Sequence, residues 1–136
     1  MTIADTSGLL ALFNTTEPEH DTVRRLVAEM DDPLVVSPYV VAELDYLVAR
    51  RVGVDAELAV LGEIAGGAYE LAQMDAGDLA RASELIARYR DQAIGIADAS
   101  IVVLADRYHT REIVSLDHRH FDVLRPLSGG RFRLIP

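Results

Sequence analysis

Apolar positions along the chain fall into short runs and helical stripes that alternate from one end to the other. Thr2 to Ala4 reads as a short strand, followed by an apolar helix from about Ser7 to Phe13. Thr16-Glu17-Pro18-Glu19 has capping-box spacing with a proline in the first turn, which predicts a second helix starting there. Val23, Leu26, Val27 and Met30 keep helical spacing until Asp31-Asp32-Pro33 ends it. Leu34-Val35-Val36 is a buried-strand run, and Ser37-Pro38 opens a third helix that runs to about Val52, with Gly53 as its stop. A fourth helix spans about Asp55 to Ile64 and ends at Gly66-Gly67.

Tyr69 to Ala72 has strand character, and Asp75 with Asp78 three residues on caps a helix running to about Arg90. A further helix covers about Ala97 to Tyr108, Glu112 to Leu116 forms a strand, and the alternating tail Arg131 to Ile135 fits an edge strand. Strands alternating with helices predict an α/β layer sandwich with a mainly parallel sheet. Ligand and catalytic sites of such sheets lie beyond the carboxyl ends of the strands. Asp5 follows the first strand and Asp117 follows the Ile113 to Leu116 strand, so two acids arrive where sites are built.

At 136 residues, without repeat, linker or low-complexity stretch, the chain reads as one domain over 1–136. A chain of this size buries roughly two-thirds of its unfolded surface and needs no staples. It has no cysteine, which excludes disulfides, thiolate metal sites and a cysteine nucleophile. All 13 basic residues are arginine. The missing lysine excludes a Walker-type phosphate loop, Schiff-base chemistry and a Ser–Lys hydrolase, and argues against phospho-aspartate domains of similar size. The first residues carry Asp5 inside the apolar stretch and lack a basic start, so a signal peptide is not expected. No run approaches the ~18 apolar residues of a membrane span. A soluble, cytoplasmic protein without membrane contact is the expectation.

The formal charge is −9, which by itself argues against a nucleic-acid partner. Its distribution changes that picture. Residues 1–68 hold 12 acids against 4 arginines, whereas from Arg107 onward 6 arginines face only Glu112, Asp117 and Asp122. Arg111, Arg119 and Arg125 in that stretch are candidate phosphate contacts, because a guanidinium forks onto phosphate oxygens. Singly, each is explained as well by a surface ion pair. Of the histidines His20, His109, His118 and His120, the His118-x-His120 pair matches no common zinc spacing. All four read as solvent-facing, with His118 placed near the phosphate.

Two acids sit inside the nearly all-apolar helix 38–52. Glu43 has Tyr39, Val40, Tyr46 and Leu47 at helical neighbour positions, and Asp45 has much the same surroundings. A bare carboxylate there is costly unless it meets a cation, a donor or a solvated stripe, and the pattern does not choose between the two. Asp98, ahead of Ile101-Val102-Val103-Leu104, reads as a cap or first-turn acid that can also face a site.

The segments IADTSGLLALF, VVAELDYLV, IADASIVVLA and SLDHRHFDVL resemble, in order and context, the motifs of PIN-domain ribonucleases, and most of all the VapC-type toxins of bacterial type II toxin–antitoxin pairs. The likeness runs from Ile3 to about Leu124. It implies a PIN-like α/β/α sandwich and an acidic quartet at Asp5, Glu43, Asp98 and Asp117, which prefers Glu43 over Asp45. A small hydroxyl residue near the first acid corresponds to Thr6 or Ser7, and Arg111, His118 and Arg119 become substrate-side candidates. The resemblance further implies an Mg²⁺- or Mn²⁺-dependent endoribonuclease that leaves 5′-phosphate and 3′-hydroxyl ends. It also implies inhibition by a cognate VapB-type antitoxin, and a homodimer. Hard divalent ions take oxygen ligands, activate water and stabilise charge on an attacked phosphate, which is the chemistry such acids supply. Two rival readings remain: a non-catalytic PIN-like module holding a basic peptide in its acidic cleft, and an aspartic protease suggested by ADTSGL, which the helical periodicity disfavours.

Overall fold

Five short strands, apolar at the centre, make one sheet in the computed structural model, which describes residues 1–136. They are β1 (Thr2–Ala4), β2 (Leu34–Val36), β3 (Glu70–Leu71), β4 (Glu112–Val114) and β5 (Arg133–Ile135), in the spatial order β3-β2-β1-β4-β5. Every neighbouring pair is parallel, with Ile3 opposite both Val35 and Ile113, Val35 opposite Glu70, and Ile113 opposite Leu134. The sheet is thus wholly parallel, β5 included. Ile3, Ala4, Val35, Val36 and Ile113 are fully buried, as required of strands covered on both faces. A parallel α/β sheet is not the β-rich frame of an aspartic protease, so that rival falls.

Seven helices flank the sheet: α1 (Thr6–Phe13), α2 (His20–Ala28), α3 (Pro38–Arg51), α4 (Val54–Ala65), α5 (Ala76–Arg88), α6 (Ile96–Arg107) and α7 (His118–Phe121). Helix α6 is buried along Ala99–Ala105, which is why its sequence is apolar all round. The anticipated cap at Asp75 forms in full: Asp75 accepts from the Asp78 N–H and Asp78 from the Asp75 N–H, both at 3.0 Å. Arg107 of α6 donates to the Asp78 carboxylate and, at 2.7 Å, to the Gln73 carbonyl, tying α5 to α6. That guanidinium holds the Asp78 carboxyl below its ordinary range.

The capping box expected at Thr16 does not form. Asn14 Oδ1 instead accepts from both the Thr16 N–H (3.0 Å) and the Thr16 hydroxyl (2.7 Å), so the local turn takes the hydroxyl. Helix α2 consequently begins at His20, three residues later than Glu17. At the third helix the expectation holds: Ser37 Oγ accepts from the Tyr39 N–H at 3.1 Å with Pro38 in the first turn. No helix is long and apolar enough to cross a membrane.

Because the strands are parallel, their carboxyl ends share one edge. Asp5 leaves β1, Ser37 leaves β2, and Ser115 to Asp117 leave β4 at that edge.

Candidate active site

Asp5 is the buried centre of a cluster at this edge. It is 4% exposed, and its backbone N–H bonds the Val114 carbonyl at 3.0 Å, which seats it between β1 and β4. Its Oδ2 accepts from the Ser115 hydroxyl at 2.7 Å and from the Ser7 hydroxyl at 2.9 Å. Each hydroxyl is then used a second time. Ser115 Oγ accepts the Asp117 N–H and Ser7 Oγ accepts the Leu116 N–H, both at 2.9 Å. One carboxylate oxygen therefore anchors the α1 start to the β4 loop, and the other is left free of these hydroxyls. Burial pushes the Asp5 carboxyl above its ordinary range, and Asp117 adds to this. The Ser115, Ser7 and Thr6 donors oppose the rise without cancelling it.

This lacing needs α1 to approach β4 closely, and Gly8 permits it. A Cβ at Gly8 would lie 2.3 Å from the Val114 carbonyl oxygen. The Ser7 hydroxyl is thereby engaged with both Asp5 and the Leu116 N–H. Thr6 Oγ1 is buried without a hydrogen-bond partner.

Asp98 occupies the third position of α6, behind the cap residue Gly95. Burial is the largest cause that pushes its carboxyl up to about 6, followed by Asp5, with Asp117 and Glu43 adding smaller repulsions; His120 opposes them. Four acids from four segments are therefore close enough to disfavour one another's charge. Glu43 itself is exposed on α3, so water solvates it and its apolar neighbours carry no penalty. Asp45 faces elsewhere: it lies against Glu57 of α4 and raises the Glu57 carboxyl. Along α3, then, Glu43 lies within electrostatic reach of Asp98 and Asp45 lies against Glu57.

Asp117 precedes the four-residue helix α7 and caps it, Oδ1 accepting the His120 N–H at 3.2 Å. That turn was not legible in the sequence, and with it went the position of His120. Read as solvent-facing, His120 instead turns its ring inward. Its Nδ1 lies 2.9 Å from Asp98 Oδ2 and 3.1 Å from Asp117 Oδ2. The nitrogen is sealed from solvent and aligned with neither oxygen as a hydrogen bond. The i, i+3 spacing of Asp117 and His120 was the available signal.

The other candidates separate. His118 and Arg119 are exposed on α7, beside Asp117. Arg111 is not brought to the cluster. It precedes β4, four residues and roughly 13 Å of strand from Ser115, and its guanidinium lies near Gly130. Arg125 is committed to the carbonyls of Asp122 (2.7 Å), Val123 and Leu124 (3.2 Å each).

Carboxylate oxygens, backed by a serine pair, are the donor type of hard cations such as Mg²⁺ or Mn²⁺. The acids' mutual repulsion is what a divalent charge would relieve. The set fits such an ion chemically, although no three acidic or histidine side chains converge as a finished cage.

The PIN domain family model matches residues 2–125. Ribonuclease VapC26 of Mycobacterium tuberculosis (strain ATCC 25618 / H37Rv) is 62% identical over 134 residues, covering 98% of this chain and 99% of that protein. Among solved structures, the fold is similar to Mycobacterium tuberculosis VapC20, a sarcin-ricin loop cleaving toxin, with TM-score 0.79 and 23% identity over 86% of this chain and 90% of that one. It is also similar to VapBC2 from Rickettsia felis, bound to a promoter DNA fragment, with TM-score 0.71 and 18% identity over 99% and 98% of the two chains. FitAcB from Neisseria gonorrhoeae gives TM-score 0.66 and 17% identity over 98% and 97%. With the family model spanning nearly the whole chain and a close relative matching end to end, the chain belongs to the PIN-domain family.

Proposed function

We propose that the protein is a VapC-type endoribonuclease toxin that hydrolyses RNA phosphodiester bonds with the help of a divalent cation held by Asp5, Asp98, Asp117 and Glu43. The 62% identity to a VapC ribonuclease supports the activity. The observation that carries the site is geometric: Asp5 sits against β4, whose loop carries Asp117, and Asp98 and Asp117 both reach one His120 nitrogen, at 2.9 and 3.1 Å. Burial, and after it the neighbouring acids, push the Asp98 carboxyl up to about 6. Repulsion among acids is costly to fold around, and a bound cation would repay it.

When bound, Mg²⁺ or Mn²⁺ would lower the pKa of an attacking water and stabilise charge on the phosphate. The chain's own residues do the rest. Ser115 and Ser7 hold one Asp5 oxygen and leave the other free of them. Asp98 and Asp117 approach from α6 and the β4 loop, while exposed Glu43 supplies an acid at the solvent side. His118 and Arg119 stand beside Asp117, where Arg119 can meet an RNA phosphate. Product ends would be 5′-phosphate and 3′-hydroxyl.

A VapB-type antitoxin is the proposed inhibitor, supported by the toxin–antitoxin complex among the structural relatives. A basic side chain from such a partner suits this acidic mouth electrostatically. A homodimer and a cytoplasmic location complete the proposal. Cleavage of a purified RNA pool tests it: activity should disappear in EDTA and return with excess Mg²⁺ or Mn²⁺. Cleavage that persists in chelator would reject the metal reading, and a protein inert under all ions would favour a binding-only module.

A further inference from the structure

His120 is unassigned by the mechanism above, yet its ring touches two of the quartet. Nδ1 is in contact with Asp98 Oδ2 (2.9 Å) and Asp117 Oδ2 (3.1 Å), which come from different elements. Were it a third ligand beside them, three donors would point at one centre, and no such convergence exists in the cluster. The nitrogen fills the gap instead. It is not fastened there, because neither oxygen lies on a hydrogen-bonding direction. An Mg²⁺ ion needs its oxygens at about 2.0–2.1 Å, which two carboxylates cannot offer with a ring wedged against both.

The backbone around the ring is fixed while the ring is not. Asp117 holds the His120 N–H, the His120 carbonyl accepts from Val123 (3.1 Å) and Leu124 (2.9 Å), and the next residue, Phe121, packs edge-on against Phe132. The side chain remains about a quarter exposed, so part of it already borders solvent. We propose that the His120 ring is a gate on the cation site: it occupies the space between Asp98 and Asp117 and swings outward when a divalent ion enters. The inference rests on the metal-site reading of the quartet.

The test uses the full chain at one fixed pH. Calorimetry with Mn²⁺ alone should show His120→Ala binding about tenfold tighter than wild type, the order expected when one contact no longer has to be displaced before the ion enters. His120→Phe, which keeps a ring in the gap, should bind no tighter than wild type. In wild type, Mg²⁺ titration should shift the His120 ring NMR signals with the midpoint of ion binding. Equal or weaker binding by His120→Ala, tighter binding by His120→Phe, or a ring that stays put at ion saturation would each overturn the gate. If His120→Ala does not fold, the ring signals of wild type decide alone. Asp98→Asn separates the two levels: if it binds Mn²⁺ as tightly as wild type, the cation site itself is wrong rather than its gate.

Discussion

Asp98→Asn should make the metal-free protein more stable while removing its activity. Burial, and after it the charge of Asp5, push the folded carboxyl up to about 6 from 3.8 for the free group. That difference of about two pH units, at about 1.4 kcal/mol each, makes ionised Asp98 cost on the order of 2–3 kcal/mol. Its side chain is 15% exposed, so solvent screening trims this cost without removing it. The sign follows from the raised value: between pH 3.8 and about 6 the native state holds a proton that the unfolded chain has lost. Stability therefore falls as pH rises through that window, with the full penalty above it and none below. Asparagine keeps the shape without the charge, so the variant should gain about 2–3 kcal/mol at pH 8, or roughly 7–10 °C in a chain of this length. Urea and thermal unfolding in EDTA at pH 8 and pH 4 measure this. The gain should be large at pH 8 and nearly absent at pH 4. Adding Mg²⁺ should then stabilise wild type and leave the variant unchanged. A variant no more stable than wild type at pH 8, or equally stabilised at both pH values, refutes the reasoning.

Ser115→Ala removes the shorter donor to buried Asp5 and strands the Asp117 N–H, so unfolding should register a loss of about 1–3 kcal/mol and cleavage should drop sharply. Gly8→Ala places a methyl 2.3 Å from the Val114 oxygen, and denaturant titration should show at least about 1–3 kcal/mol of destabilisation. Glu43→Gln should impair cleavage whereas Asp45→Asn, which relieves the repelling pair with Glu57, should not; comparable rates for the two would undo the assignment along α3. Arg119→Ala should lower RNA affinity and flatten its salt dependence, while Arg111→Ala should leave both as they are.

Much of this was legible in the residues because periodicity and caps are local. Leu34-Val35-Val36, Ser37-Pro38 and Asp75 with Asp78 each specify their element within a few positions, and all formed. The misses have non-local or competing causes. Thr16 had the right spacing for a cap, but Asn14 sits two residues away and takes its hydroxyl. Helix α7 is a single turn, too short for periodicity to register, so His120 was placed in solvent. Arg111 lies only six residues from Asp117 in sequence, yet an intervening strand puts them at opposite ends of the sheet. Ser115 carried no signal of its own, since its role exists only where β1 and β4 lie side by side. The quartet itself is a reading from family resemblance, and the helix pattern of α3 alone does not select Glu43.

The central claim is that four acids on four segments act as one cation-dependent RNA-cutting centre. Mapping the RNA ends produced by purified wild type and Asp98→Asn in Mg²⁺ tests it most directly. The account predicts discrete cuts with 5′-phosphate ends for wild type and none for the variant. The same cuts from Asp98→Asn would contradict it.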